Sequence, residues 1–345
     1  MPRARNLSPW AQWMLRLERT TSADPCPVDD PAAIPAWRGR ARTRLHELLG
    51  PDPAPVPLAL ERTDTVDVGS YARHRVLFDT EDTMAVPAFL LVPHDRDRPG
   101  PAVLAVHGHG PGKAEVCGLA DDEAVAAAIR EDHGDYGHRL AEAGYVVLAP
   151  DLRLFGERTG FEVPGRYGCD LNLVHAYAAG YNPLAQNLWD LRRALDVLAG
   201  HDLADPERLG VVGFSYGGTC ALFLAALDDR VRAAVVSGYL CTWSASHRLP
   251  GNLCGSQVLP GMLGRLDHVD VGGLLAPRPL LVESGAEDLA FPADGAREVV
   301  ARLRAVYAAL GAADDALDHD VFAGGHEWHG ARVPAFLGRS LGAPA

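Results

Sequence analysis

One five-residue turn, Gly213-Phe214-Ser215-Tyr216-Gly217, limits most strongly how this chain can fold. It follows the apolar run Leu209–Phe214 and precedes a helical apolar run, Thr219–Leu227. Strand, tight turn and helix with serine at the apex form the arrangement that lifts a nucleophilic hydroxyl clear of a sheet. The flanking glycines have a steric task, because side chains beside so strained an apex would collide with the strand and the helix. The turn also sets the Tyr216 amide at a helix N-terminus, where developing negative charge is favoured.

The rest of the chain supplies a sheet around that turn. Residues 65–68, 72–78 and 85–92 alternate as half-buried strands do. From Pro101–Val106 onward the runs are continuously apolar: 145–149, 208–213, 231–237, 278–284 and 317–322. Such runs suit strands buried on both faces. Helical stretches fall at 135–144, 182–199, 216–228, 293–310 and 330–341. The alternation predicts an α/β fold with an antiparallel start and a mostly parallel sheet of about eight strands, covered on both sides. Residues 1–60 form a separate N-terminal extension, with helices at 8–20 and 36–49 and the stiff connector Pro51–Pro57. The catalytic domain is expected at 61–345, with lid-like excursions at 155–185 and 238–268.

Charge and cysteine usage exclude some functions. Lys plus Arg number 32 against 45 Asp plus Glu, a formal net charge of −13. An acidic chain without a basic run is a poor partner for nucleic acid. No stretch approaches the ~20 apolar residues of a membrane span. The N-terminus lacks the apolar core of a secretory signal. Six cysteines without close pairing read as reduced thiols, and the chain as cytoplasmic. The helix at 8–20 carries Trp10, Trp13, Met14 and Leu17 at helical spacing. Such a stripe is expected to pack on its own domain, and the extension 1–60 to lean on the main domain or on a second copy, the latter alternative giving a homo-oligomer.

In an open parallel sheet, functional groups collect beyond the carboxyl ends of the strands. The loop after 101–106 is His107-Gly108-His109-Gly110. An amide from it, His109 first and Gly110 second, would join that of Tyr216 in a two-donor oxyanion hole. Metal binding by His107 and His109 fits poorly, because no compact carboxylate or cysteine set accompanies them in sequence. His107 reads as a buttress that hydrogen-bonds backbone. After 145–149 comes Asp151, read as a structural ion-pairing or turn carboxylate before a catalytic one. After 278–284 comes Asp288, the expected triad acid, with Glu287 and Glu283 as competitors. Glu283 lies inside an apolar run and reads as a buried, hydrogen-bonded carboxylate. After 317–322 comes Gly324-Gly325-His326, with His326 the expected general base and His329 facing solvent or the pocket rim. The chain order Ser215, Asp288, His326 is that of hydrolases with an elbow of this kind.

These motifs together resemble the α/β-hydrolase superfamily across roughly residues 62–342. Within it, the chain is similar to the dienelactone-hydrolase and acetylxylan-esterase-like branch. The stretches carrying the resemblance are His107–Lys113, Asp151–Arg158, Gly213–Gly218, Leu275–Asp288 and Gly324–Trp328. The resemblance implies Ser215 as nucleophile, Asp288 as acid, His326 as base, and the His109 and Tyr216 amides as oxyanion donors. Dienelactone hydrolases proper use a cysteine nucleophile, and the serine here points to esters instead. The expected activity is hydrolysis of a small-molecule carboxylic ester through an acyl-enzyme, with short-acyl esterase or deacetylase chemistry and no cofactor or metal. An acyltransferase, thioesterase or peptidase would use the same triad, and a non-catalytic binding protein would keep only the fold. Aromatic and large residues in the two excursions, Phe161, Tyr167, His175, Tyr177 and Tyr181, then Tyr239, Trp243, His247 and Met262, either pack the lid on the body or offer an apolar substrate site.

Overall fold

The computed structural model describes residues 5–160, 168–246 and 254–344. Two helices come first, α1 (Pro9–Arg19) and α2 (Ile34–Leu49). Strands β1 (Glu61–Asp67), β2 (Tyr71–Glu81) and β3 (Met84–Pro93) follow as an antiparallel meander. Then come β4 (Gly100–Val106), α3 (Lys113–Val116), α4 (Glu123–Glu131), α5 (Tyr136–Glu142), β5 (Val146–Pro150), α6 (Gly168–Ala178) and α7 (Pro183–Ala199). The second half contains β6 (Ala204–Phe214), α8 (Tyr216–Leu227), β7 (Val231–Ser237), α9 (Trp243–Ser246), α10 (His268–Leu275), β8 (Leu280–Gly285), α11 (Ala293–Ala309), β9 (Leu317–Phe322) and α12 (Val333–Leu341).

The sheet order is β1-β2-β3-β5-β4-β6-β7-β8-β9. From β5 to β9 every pairing is parallel. Among the described residues the sheet has nine strands where about eight were expected, and each of the nine strand-like runs falls on one of them. The outer strand β1 starts earlier than the run 65–68 that announced it, and its seven residues are all exposed. Its charged residues, Glu61, Arg62, Asp64 and Asp67, blunt a free sheet edge against pairing with other chains.

Period-two alternation divides the central strands between two cores. Ala102, Leu104 and Val106 of β4 point into a layer with α2, α7, α8, α10 and α11. Val103 and Ala105 point into the opposite layer, with Tyr136 and Leu140 of α5 and Phe336 and Leu337 of α12. The sequence sets helix boundaries locally. At α7 the Asn182 side chain accepts hydrogen bonds from the amides of Leu184 and Ala185, and Pro183 fills the first turn. Helix α8 has no polar stripe, and all but its last residue are buried between the sheet and neighbouring helices.

The two N-terminal helices differ sharply. Ile34, Trp37, Ala41 and Leu45 of α2 are wholly buried in the main core. Arg38 also donates to the carbonyls of Leu274 and Ala276 beside α10. Helix α1 buries no residue fully; Met14 and Leu17 are half-buried, and Trp10 and Trp13 face solvent. Helices α4, α6 and α10 lie where no helix was expected. In α10, Asp270 and the pair Gly272 and Gly273 break up the apolar period that would have announced it.

Candidate active site

Ser215 sits between β6 and α8 with φ 57° and ψ −116°, outside the ordinary regions for an L-residue. Such a conformation costs on the order of 1–3 kcal/mol, and the surroundings must impose it. They do so through very close backbone packing. A Cβ at Gly213 would lie 2.1 Å from the carbonyl oxygen of Gly217, and one at Gly217 would lie 1.9 Å from that of Val106. The Ser215 amide is held by the Ser237 carbonyl at 2.9 Å. The Tyr216 amide begins α8 directly behind the serine.

The loops after β8 and β9 bring the remaining groups to the serine. His326 Nε2 lies 2.9 Å from Ser215 Oγ, and His326 Nδ1 lies 2.8 Å from Asp288 Oδ2. The other carboxylate oxygen, Oδ1, accepts from the amides of Ala290 at 2.7 Å and Phe291 at 2.9 Å. Burial pushes the Asp288 pKa up, but the hydrogen bond and charge of His326 and these two amides outweigh it, and the net shift is downward. The acid is therefore an ionised acceptor, so Nδ1 of His326 carries a proton and neutral His326 turns a bare Nε2 toward the serine. Phe214 and Phe291 flank the imidazole, with ring centroids 4.8 and 5.5 Å away. Glu287 is exposed, and its amide bonds the Gly324 carbonyl. His329 pairs with Asp320 at 2.8 Å and stacks on Phe322. Glu283 is fully buried and accepts from the Gly330 amide at 2.9 Å.

The loops after β4 and β5 form the opposite wall. His107 is fully buried, and burial lowers its pKa to about 4. It is neutral, with Nδ1 donating to the Gly108 carbonyl at 2.7 Å and Nε2 accepting from the Leu152 amide at 3.0 Å. It ties the two loops together. Asp151 is saturated by the Lys113 ammonium at 2.6 Å and by the amides of Lys113 and Glu157 at 2.7 and 3.0 Å. Arg153 grips Asp190 and reaches Glu81, and Arg158 pairs with Asp190 as well. Lys113, Asp190 and Glu81 escaped the sequence reading, since nothing in their local sequence marks them as partners of this loop. The His109 ring lies 5.3 Å from the Tyr216 ring, so the two candidate oxyanion residues are neighbours. Asn187 joins the walls, accepting from the Arg153 amide and donating to the Tyr216 hydroxyl, each at 2.8 Å.

The two excursions meet above this floor. Tyr177 of α6 donates to the Gly255 carbonyl at 3.5 Å, and Gln257 donates to Thr219 of α8 at 3.0 Å. Tyr239, Trp243 and Met262 are buried, and the first two pack on His268. These three therefore pack the excursion onto the body. Tyr177, Tyr181 and His175 are exposed. Phe161, Tyr167 and His247 lie outside the described residues. Cys169 of α6 and Cys254 of the second excursion come together, with sulfurs 3.0 Å apart, beside His109. Their separation of 85 residues hid this cluster from the sequence.

Fold and site together define the class, a hydrolase of the α/β-hydrolase fold. The profile of the dienelactone hydrolase family matches residues 122–242. The protein YtaP of Bacillus subtilis (strain 168), described as a hydrolase, is 30% identical over 286 residues, covering 80% of this chain and 90% of YtaP. The chain belongs to the dienelactone hydrolase family and is a carboxylic-ester hydrolase. Among solved structures, one from Bacteroides fragilis described as an acetyl xylan esterase has a TM-score of 0.80 at 19% identity, over 93% of this chain and 84% of that one. A glucuronoyl esterase from Solibacter usitatus has a TM-score of 0.68 at 17% identity, over 95% of this chain and all of that one. These two likenesses concern the fold.

Proposed function

We propose that the chain is a serine esterase that removes a short acyl group from a small-molecule ester through a triad of Ser215, His326 and Asp288. The observation that carries the reading is the continuous contact from Ser215 Oγ to His326 Nε2 (2.9 Å) and from His326 Nδ1 to Asp288 Oδ2 (2.8 Å). His326 takes the serine proton as Oγ attacks the ester carbonyl. Asp288 holds the imidazole in the required tautomer and stabilises the imidazolium. The amides of Tyr216 and His109 receive the negative oxygen, the first aided by the α8 dipole. His326 protonates the leaving alcohol, and water then repeats the sequence on the acyl-enzyme.

The names of the two fold neighbours, acetyl xylan esterase and glucuronoyl esterase, favour a carbohydrate ester as substrate. Cytoplasmic residence accords with six cysteines of which none is in a disulfide, and with the absence, among the described residues, of any helix long and apolar enough to cross a membrane. The exposed Trp10, Trp13 and Leu15 of α1 favour association of copies through that helix, and light scattering of the chain with and without residues 1–20 tests it.

The test of the reaction has two arms. A fluorophosphonate should label the protein, and Ser215→Ala should abolish labelling. Hydrolysis of p-nitrophenyl esters should fall as the acyl chain lengthens, and acetylated sugars should be deacetylated. Labelling that survives Ser215→Ala overturns the nucleophile, while equal rates on long acyl chains overturn only the short-acyl preference.

A further inference from the structure

The His109 side chain, Cys169 and Cys254 form a cluster whose donor atoms play no part in the acyl-transfer scheme, in which His109 offers only its backbone amide. Its donor atoms, one imidazole nitrogen and two sulfurs, all lie within 4.8 Å of one another. They come from three separate elements: the loop after β4, helix α6, and the segment before α10. Both cysteines are at most 9% exposed, and Ser256 Oγ lies 2.8 Å from the Cys254 sulfur. Two sulfurs and an imidazole converging on one small volume are a donor set for a soft or borderline cation, and a poor one for Mg²⁺ or Ca²⁺.

We propose that His109, Cys169 and Cys254 form a zinc site that fastens the two lid excursions to the loop after β4. On binding, each thiol loses its proton to solvent, two sulfur–zinc bonds form, and the neutral imidazole supplies the third ligand without any change of oxidation state. Zinc–sulfur bonds of ~2.3 Å in tetrahedral geometry set the sulfurs about 3.8 Å apart. The pair therefore opens by less than an ångström from its present 3.0 Å. The fourth position is left to the Ser256 hydroxyl or a solvent molecule. Ion binding at this site joins segments that are otherwise far apart in sequence, so it also stabilises the folded chain.

The experiment uses the full chain, reduced and freed of metal by dialysis. Zinc is titrated against a chromophoric chelator, and Co²⁺ is added as a spectroscopic probe. The expected result is one equivalent of zinc per chain, with a thiolate-to-cobalt charge-transfer band and tetrahedral d–d bands. Losing even an outer-shell partner weakens zinc sites by ~10–100-fold. Cys169→Ser and Cys254→Ser should each therefore lower zinc affinity by at least about 100-fold and remove most of the charge-transfer band. Cys26→Ser, remote from the cluster, should leave both unchanged, and circular dichroism of every variant verifies folding. Absence of stoichiometric binding in the parent chain overturns the site, as does binding that survives in a folded Cys169→Ser/Cys254→Ser chain. Thiol counting on the denatured chain that finds four thiols instead of six, after reduced protein is exposed to a low-molecular-weight disulfide in the presence of zinc, also overturns it by identifying a redox pair.

Discussion

Asp151 and Asp288 invite comparison. Each follows the carboxyl end of a parallel strand, each has a side chain wholly out of solvent, and each accepts two backbone amides. They differ in the third partner. Asp151 meets the ammonium of Lys113, which also reaches Glu157. Asp288 meets His326, whose other nitrogen reaches Ser215. A carboxylate paired to lysine is a fixed strut, whereas one paired to a histidine that contacts a hydroxyl can stabilise a charge that appears only during a reaction. Residue type and place in the fold do not assign the role; the chain of contacts does.

The largest expected effect separates the two at once. Asp288→Asn should lower kcat on a p-nitrophenyl ester by on the order of 10⁴, because the amide would favour the wrong imidazole tautomer. Melting and denaturant curves should change much less. Asp151→Asn should do the opposite. It leaves the buried Lys113 with Glu157 as its remaining counter-charge and should reduce unfolding free energy by about 1–3 kcal/mol, with a far smaller effect on kcat. If the large rate loss appears in Asp151→Asn and not in Asp288→Asn, the assignment of the two acids is reversed.

Two smaller perturbations sharpen the contrast. Asn187→Leu cuts the polar link between the walls and strands the Tyr216 hydroxyl and the Arg153 amide. It should cost about 1–3 kcal/mol in chemical denaturation for each group left without a partner. Unchanged stability would mean that the walls are held independently. The smallest effect concerns a third acid, Glu283. Burial pushes its pKa up to about 7, against the lowering influence of the Ser237 hydroxyl and the Gly330 amide. Because the folded-state pKa is raised, its contribution to stability is full below the unfolded value of about 4.5 and is lost as pH rises through about 7. Glu283→Gln should flatten the decline in stability between about pH 5 and 8, leaving the shares due to Glu115 and Asp270, which burial also raises, to about 7 and about 6. An undiminished slope would show that Glu283 ionises normally.

Much of this architecture could be read from the chain alone. Short apolar runs alternating with helical ones determined a parallel sheet covered on both faces, because period and length encode which faces meet solvent. The glycines around Ser215 determined the elbow, since no other residue fits backbone that close. The order Ser215, Asp288, His326 nominated three side chains because strand ends gather at one edge. Other features had no local signal. Helix α10 carries the buried Asp270 and two glycines, Gly272 and Gly273, that disguise its period.

Tertiary structure alone decided the partnerships. Lys113 with Asp151, Arg153 with Asp190, the Phe214 and Phe291 rings about His326, and the Cys169–Cys254–His109 cluster all join residues from separate segments. Local sequence encodes backbone conformation and burial, which depend on near neighbours. A pairing between distant side chains depends on where two excursions end in space, and that is settled only when the whole chain packs.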